Sequence, residues 1–448
     1  MKKFSFRQVH KFGGSSIHNI QSYKRVANII KEYSQIDDFI VLSASGNTTN
    51  YLINWFKAIK NNSVFANTMQ EKIFFYQKEL IYGLLSNKSA NILLLKLTTD
   101  LKYLNKLLIS KKFNHDIYNE VVGYGEIWSA ILMSYFLKEL NIPSYYLDSR
   151  LFLCADNKDG IYPTINFDLS KKLLNKIIKN VSNKILIVSG FIARNNQGKT
   201  ILLGRNGSDY SATQIASLVK NVSRVTIWSD INGIYSADPF LVKNALLWRN
   251  LNLFKAQELA RLSHNILHPR CLEPIFLSNY FNLYIRCSLN PKKDYTKINR
   301  VMNQDDQAKI IVNNNYVSLI EIFIEKNNNL YKLNKKILIL LKSKKFNPLA
   351  AYIHKKRKII QLCYSTESLF IVSSFLRKKL FFHGKIFFKK KISLIALIGK
   401  DKKSRYFFYK ILKNKPVEFI CEKFISLIAI LNTNRTIKIV SELHKNIF

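Results

Sequence analysis

The chain has 448 residues, 48% of them hydrophobic, and a formal net charge of +41. That length suits two or three domains with a sizeable core, and no apolar run approaches the roughly 18 residues that cross a bilayer, so no membrane partner is expected. The N-terminus MKKFSFRQVHKF lacks an apolar stretch behind its charges, and the five cysteines show no C-x-x-C or metal-ligand spacing; this reads as a cytoplasmic protein with reduced thiols and no secretory signal.

In chain order, the first motif is Val9–Ile17, VHKFGGSSI. A short strand carrying Lys11 ends at Gly13-Gly14, and Ser15 and Ser16 then cap a helix through Arg25–Ile30. Glycine amides at a helix start suit a phosphate, although the Walker A pattern is missing. A lysine at a strand end fits the same residues. Phe39–Leu42 is a buried strand delivering Ser43, Ser45, Gly46, Thr48, Thr49 and Asn50. Small polar groups at a strand's C-terminal end contact substrate in open α/β sheets, or form a solvated turn. Residues 62–115 read as helices without chemistry. In VVGYGEIWSA, Val121–Ala130, Trp128 stands where a third glycine would complete G-x-G-x-x-G. Glu126 is read at a helix start, placed to hold an ammonium group or to favour the helix dipole.

Lys184–Ile192 is an apolar strand, followed by a hairpin-like turn at Asn195–Gly198. Leu202–Ala216, LLGRNGSDYSATQIA, then combines strand, glycine turn and helix start. Gly204 and Gly207 frame Arg205, and Ser208 is placed at the N-cap. Ala212, Ile215, Ala216 and Val219 mark one buried helix face. Arg205 offers a planar fork to a carboxylate or phosphate, and Asp209 adds an acid in the first turn. A ligand with both signs of charge fits this turn; so does a plain βα connection with a surface ion pair. VTIWSDINGIYSADP, Val225–Pro239, supplies Ser229, Asp230 and Tyr235, a set that could seat a base and ribose. Ala256–Pro274 is helical and holds His268-Pro269-Arg270.

Twelve of the 14 glycines lie before residue 234, and from about Val301 the texture changes. Strands are expected at Val317–Ile324, Leu349–His354, Ile359–Tyr364, Lys385–Phe388, Ser393–Ile398, Val417–Ile420 and Ser426–Leu431. Helices fall between them at Asn329–Leu341, Ser368–Leu376 and Ser404–Leu412, with a last one at Thr436–Phe448. The pattern is two ferredoxin-like βαββαβ units with interleaved strands and no catalytic constellation. Within it, Arg377–Lys391 interleaves basic and aromatic residues, as a single-strand stacking surface does, and reads equally as a buried strand with charged ends. Because basic residues are spread along the whole chain, which is rich in the Lys, Ile, Asn, Phe and Tyr of an AT-rich genome, no specific nucleic-acid partner is expected.

Taken together, KFGGSSI, LSASGNTTN, GYGE, LLGRNGSDYSA, WSDINGIYSADP and ILHPR, in this order over residues 9–270, resemble the aspartate kinase family. NTTNYLINW, EVVGYGEIWSA and FIARNNQGKTILLGRNGSDYSATQI resemble in wording the kinase half of the methionine-pathway bifunctional aspartokinase/homoserine dehydrogenases. No G-x-G-x-x-G follows residue 301, so no dehydrogenase half is expected within the chain. The resemblance implies an amino-acid kinase fold over residues 1–300, an open, mainly parallel sheet with helices on both faces. Tandem ferredoxin-like ACT-type units over 301–448 would follow, serving regulation and homo-oligomer contacts. It implies transfer of the ATP γ-phosphoryl group to L-aspartate with Mg²⁺ (EC 2.7.2.4), the first step of the lysine, threonine and methionine branch. Lys11 and Asp209 would be catalytic. Ser43, Thr49, Glu126, Arg205 and Ser208 would hold aspartate; Gly13, Gly14, Gly204, Gly207, Ser229, Asp230 and Tyr235 would hold phosphate and nucleotide, with no protein metal cage. Two positions depart from the pattern: Phe240 stands where the family typically has arginine, and Asn265 where many members have lysine. Both belong to the nucleotide-phosphate side, which leaves open a catalytically weakened binding subunit acting through its ACT-like region.

Overall fold

A computed structural model describes residues 6–61, 63–110, 114–156, 162–263, 267–277, 281–300, 307–324, 329–380, 384–433 and 435–448. Asn265 and Phe381-Phe382 lie outside them. Two compact units are present. One comprises Met1–Asp156, Pro163–Gly233 and Arg270–Lys297; the other comprises Asn157–Tyr162, Ile234–Pro269 and Ile298–Phe448.

Parallel strands organise the first unit, in the order Asn282–Cys287, Val222–Ser229, Arg7–Phe12, Phe39–Leu42, Ile185–Ser189, Ser144–Leu147. Every residue of Phe39–Leu42 and of Ile185–Ser189 is buried, because helices cover both faces of a parallel sheet. Phe12 and Trp228 stack face to face at 5.8 Å between the two central strands. Helices Thr48–Asn61, Ser63–Leu84, Asn87–Ile109 and His115–Glu139 share one core with the sheet, into which Leu52 and Trp55 are fully buried.

Three local expectations change. The Gly13-Gly14 turn leads into a short 3₁₀ turn, Gly14–Ile17, and helix Ile20–Tyr33 is capped by Asn19 with Ser22 rather than by Ser15 or Ser16. Glu126 stands deep inside the 25-residue helix His115–Glu139, not at a helix start. Gly125 is what allows this: a Cβ there would come within 2.7 Å of the Ala44 Cβ, so the glycine lets the helix pack onto the Ser43–Asn50 turn. Ser208 is the second residue of helix Gly207–Leu218, whose N-cap is Asn206 in the left-handed conformation, φ 51°. That helix is buried on nearly all sides, which its small residues Ser208, Ser211, Ala212 and Ala216 permit.

The second unit is an antiparallel sheet in the order Ala350–His354, Ile359–Ser365, Ile310–Ile324, Gly384–Ile398, Ser426–Leu431, Val417–Glu422. The sequence suggested separate strands at Lys385–Phe388 and Ser393–Ile398. They are one 15-residue strand, and its partner Ile310–Ile324 is equally long. Each long strand serves two cores. Ile320, Ile322 and Ile360 pack with Ile337 and Leu376 in one; Ile311, Ile395 and Leu397 pack with Phe408 and Val440 in the other. Register shifts at Asn314/Val317 and Val317/Leu319 mark the crossing from one core to the next. The architecture is the tandem, interleaved α+β arrangement expected from the texture. Segment 234–269 belongs to this unit: Asn314 Nδ2 donates to the Leu262 carbonyl at 2.8 Å, and Ser236 Oγ meets His444 Nε2 at 2.9 Å. Among the described residues, no helix is long and apolar enough to cross a membrane.

Candidate active site

The site starts where strand Arg7–Phe12 runs into two glycines. A Cβ on Gly14 would stand 2.7 Å from the Ala44 carbonyl oxygen, so this backbone passes against the next strand's turn with no room for a side chain. A Cβ on Gly13 would lie 3.4 Å from Lys11 Nζ, which puts the ammonium back over the glycine turn. The same ammonium meets Asp209 Oδ1 at 2.6 Å, with the two side chains only 12% and 7% exposed. Asp209 lies in the first turn of helix Gly207–Leu218, where the dipole favours an acid. Asn206 Nδ2 donates to its other oxygen at 3.3 Å.

Backbone geometry holds the turn that precedes this helix. Gly204 has φ 78°, in the region open to glycine. A Cβ on Gly207 would fall 2.6 Å from Phe191 Cδ2. Phe191 itself has φ 64°, a rare conformation for a bulky residue, braced by its N–H to Ser211 Oγ at 3.1 Å and by Leu203 N–H to its carbonyl at 2.8 Å. Arg270 clasps the same turn by donating to the Leu203 carbonyl at 2.7 Å and stacking over the Tyr210 ring. Arg205 is half-buried within the turn.

Hydroxyls join the turn to the central strand. Ser43 Oγ donates to Ser208 Oγ at 3.0 Å, and Ser129 Oγ donates to the Ser43 carbonyl at 2.7 Å. Thr49 is half-buried on the first turn of helix Thr48–Asn61. One turn of helix before Ser129 lies Glu126, 3% exposed, with its Oε2 buried and unpartnered. Burial pushes its carboxyl up to about 8, against the smaller pull of the Ala44 and Glu126 backbone N–H groups. A buried carboxylate oxygen with no donor is costly, and a ligand cation would relieve it.

On the other flank of the glycine turn, Ser229 Oγ donates to Asp230 Oδ1 at 3.0 Å. Ser288 holds that strand end through two bonds to the Ser229 carbonyl, at 2.8 Å from its N–H and 3.1 Å from its Oγ. Its hydroxyl lies 3.3 Å from Ser16 Oγ, just past the glycines. Lys11, Gly13, Gly14, Ser229 and Asp230 are thereby linked through neighbouring backbone, as Ser43 and Ser208 are directly. Tyr235 belongs to the second unit, where its backbone bridges Leu247. Phe240, in that unit, is 81% exposed. Sequence reasoning missed Ser129, Ser288, Asn206 and Phe191 as site-building residues. Isolated serines carry no pattern, while the αL backbone of Phe191 arises from tertiary packing.

A parallel sheet that brings a lysine, two glycine turns and a helix start together defines the class of the first unit as an α/β domain. The chain belongs to the amino acid kinase family, whose model matches residues 6–286. It is 41% identical over 450 residues to the bifunctional aspartokinase/homoserine dehydrogenase 2 of Escherichia coli (strain K12), an alignment covering 99% of this chain and 55% of that protein. The chain thus spans about half the length of that relative. The crystal structure of E. coli aspartokinase III in complex with aspartate and ADP (R-state) matches with a TM-score of 0.86 at 22% identity, covering 98% of this chain and 99% of that one. The same enzyme in complex with lysine and aspartate (T-state) matches at 0.74, also with 22% identity, covering 99% and 100%. At that identity the two structures establish the shared fold.

Proposed function

We propose that this chain is an aspartate kinase, transferring the γ-phosphoryl group of ATP to the β-carboxylate of L-aspartate to give 4-phospho-L-aspartate and ADP. The observation that carries the reading is the buried, unpartnered carboxylate oxygen of Glu126, set one helical turn from Ser129, whose hydroxyl donates to the carbonyl of Ser43, the residue whose own hydroxyl donates to Ser208. An amino-acid ammonium is the group that satisfies it. Identity of 41% to a bifunctional aspartokinase supports the same reading.

In this mechanism Arg205 forks onto the α-carboxylate of aspartate and Glu126 takes its ammonium, so the β-carboxylate is left pointing at the phosphoryl donor. A β-carboxylate oxygen forms a bond to the γ-phosphorus while the bond to the β,γ-bridging oxygen breaks, and ADP leaves. Lys11 and the Gly13-Gly14 amides neutralise charge on the moving group; Asp209 holds Lys11 in place through the 2.6 Å pair. Ser43, Thr49 and Ser208 line the acceptor, and Gly204 and Gly207 keep the turn open. Ser229 and Asp230 hold the nucleotide. Among the described residues no group of three or more His, Cys, Asp and Glu gathers. Asp230, an exposed carboxylate at this strand end, would help to hold the Mg²⁺ of Mg-ATP, and the ion would supply neutralisation of phosphate charge.

Residues 1–300 would supply the catalytic region, with segment 234–269 packed in the C-terminal unit, and 301–448 an ACT-like region for regulation and homo-oligomer contacts, in a cytoplasmic enzyme. The test is ADP release with L-aspartate and Mg-ATP. Aspartate-dependent turnover is expected, and an aspartate-independent background alone would reject the assignment.

A further inference from the structure

Two elements carry the acceptor-side residues: helix His115–Glu139 bears Glu126, and hairpin Ile192–Arg194/Thr200–Leu202 runs directly into Gly204-Arg205. They meet along one helix stripe. A Cβ on Gly123 would lie 3.0 Å from Ile192 Cγ2, 3.4 Å from Thr200 Cγ2 and 3.8 Å from Leu202 Cδ2. One turn earlier, Glu120 Oε2 accepts from Thr200 Oγ1. A third element, the turn Ser149–Leu151, inserts a guanidinium into this junction. Arg150 Nε and Nη2 bind Asp148 Oδ2 at 3.1 and 2.8 Å; Nη1 reaches Thr200 Oγ1 at 3.1 Å and both Glu120 oxygens at 3.4 Å. Beside it, Ser149 Oγ donates to the Ile192 carbonyl at 2.8 Å. The three ionic side chains are only 17–24% exposed.

We propose that Arg150 is a positioning residue for the acceptor half of the reaction: by bridging Asp148, Glu120 and Thr200 it fixes the hairpin that leads to Arg205 against the helix that carries Glu126. The inference rests on the aspartate kinase reading. One cation holds two carboxylates here, so its removal leaves Asp148 and Glu120 repelling each other in a half-buried junction. Lysine keeps the charge, but its three N–H donors radiate from a single nitrogen and cannot span the acceptors that the guanidinium reaches from three nitrogens held in one plane. Among the described residues the hydrogen bonds and ion pairs of Arg150 go to Asp148, Glu120 and Thr200 and not to Ser229, Asp230 or the Gly13-Gly14 turn, so the effect falls on aspartate and spares ATP.

The experiment measures steady-state kinetics and melting temperature for the full chain and for Arg150→Lys and Arg150→Met. Wild type is assayed first: without aspartate-dependent turnover the aspartate kinase reading fails, and the inference falls with it. With an active wild type, KM for aspartate should rise about tenfold or more in both variants, while KM for ATP stays within about twofold, since small misplacement of binding groups is costly. Lys199→Ala removes the exposed Lys199–Asp116 pair on the rim and should leave both constants unchanged. A lower melting temperature with an unchanged ratio of the two KM values would make Arg150 a merely structural residue and overturn the proposal. If Arg150→Met does not fold, Thr200→Val is read on the same ratio, where no change overturns the proposal equally.

Discussion

Replacing Glu126 by glutamine should stabilise the free protein at neutral pH and weaken it as an enzyme. In the folded chain the carboxyl is raised from 4.5 to about 8 by burial. Between those values the folded state binds more protons than the unfolded one. Stability is therefore greatest below 4.5 and declines as pH rises through the window. From pH 5 to pH 8 that decline amounts to roughly 3–4 kcal/mol for this group, at 1.36 kcal/mol per tenfold change in proton activity. Glutamine has the same shape and no charge to desolvate, so it removes this slope. For a chain of this size the difference in melting temperature between variant and wild type should widen by about 3–6 °C over that range. At the same time the ammonium of aspartate loses a charge-assisted partner worth about 1.5–3 kcal/mol, and KM for aspartate should rise tenfold or more. Differential scanning calorimetry at pH 5, 6, 7 and 8, with kinetics at pH 7, reads both arms. Parallel melting curves for the two proteins would refute the buried-carboxylate argument, and an unchanged KM would remove Glu126 from the aspartate site.

Lys11→Ala should lower kcat by more than a hundredfold and raise KM for aspartate much less, as befits a group acting on the moving phosphoryl. Because it strands the buried Asp209, the double variant Lys11→Met/Asp209→Asn should recover stability without recovering kcat, and joint recovery would make the pair structural. Arg205→Lys should raise KM for aspartate and leave that for ATP alone, since lysine cannot make two parallel bonds to a carboxylate; the opposite pattern would put Arg205 on the nucleotide. Phe240→Arg, at a site 81% exposed, should leave the melting temperature within about 1 °C. A fall in KM for ATP would show that the position reaches the polyphosphate, and an unchanged value that the site works without this cation.

What the sequence made legible follows from how each feature is encoded. Gly14, Gly204 and Gly207 were readable because only glycine fits a close backbone approach or a positive φ, so the residue type states the geometry. Lys11 and Asp209 were each visible as candidates, but their 2.6 Å pairing joins a strand end to a helix 198 residues later and has no local signature. Glu126 was read at a helix start, and Gly123 and Gly125 as part of an incomplete G-x-G-x-x-G. Their contacts with Ile192 and Ala44 make them packing residues inside a long helix, where tertiary contact outweighs propensity. In the C-terminal unit the periodicity located the strand cores. It missed that Ile310–Ile324 and Gly384–Ile398 run unbroken through two cores, because polar Asn313-Asn314 and Lys389–Lys391 interrupt the apolar pattern at the crossing. Arg150 passed unnoticed: its three acceptors lie 2, 30 and 50 residues away.

The most direct test of the central claim is chemical capture of the product. An acyl phosphate reacts with hydroxylamine to give a hydroxamate, whereas ADP and phosphate from simple ATP hydrolysis do not. Incubated with Mg-ATP, L-aspartate and hydroxylamine, the full chain should form aspartyl hydroxamate in step with ADP, and Lys11→Ala should form essentially none. ADP release without hydroxamate, or equal hydroxamate from both proteins, would contradict the account.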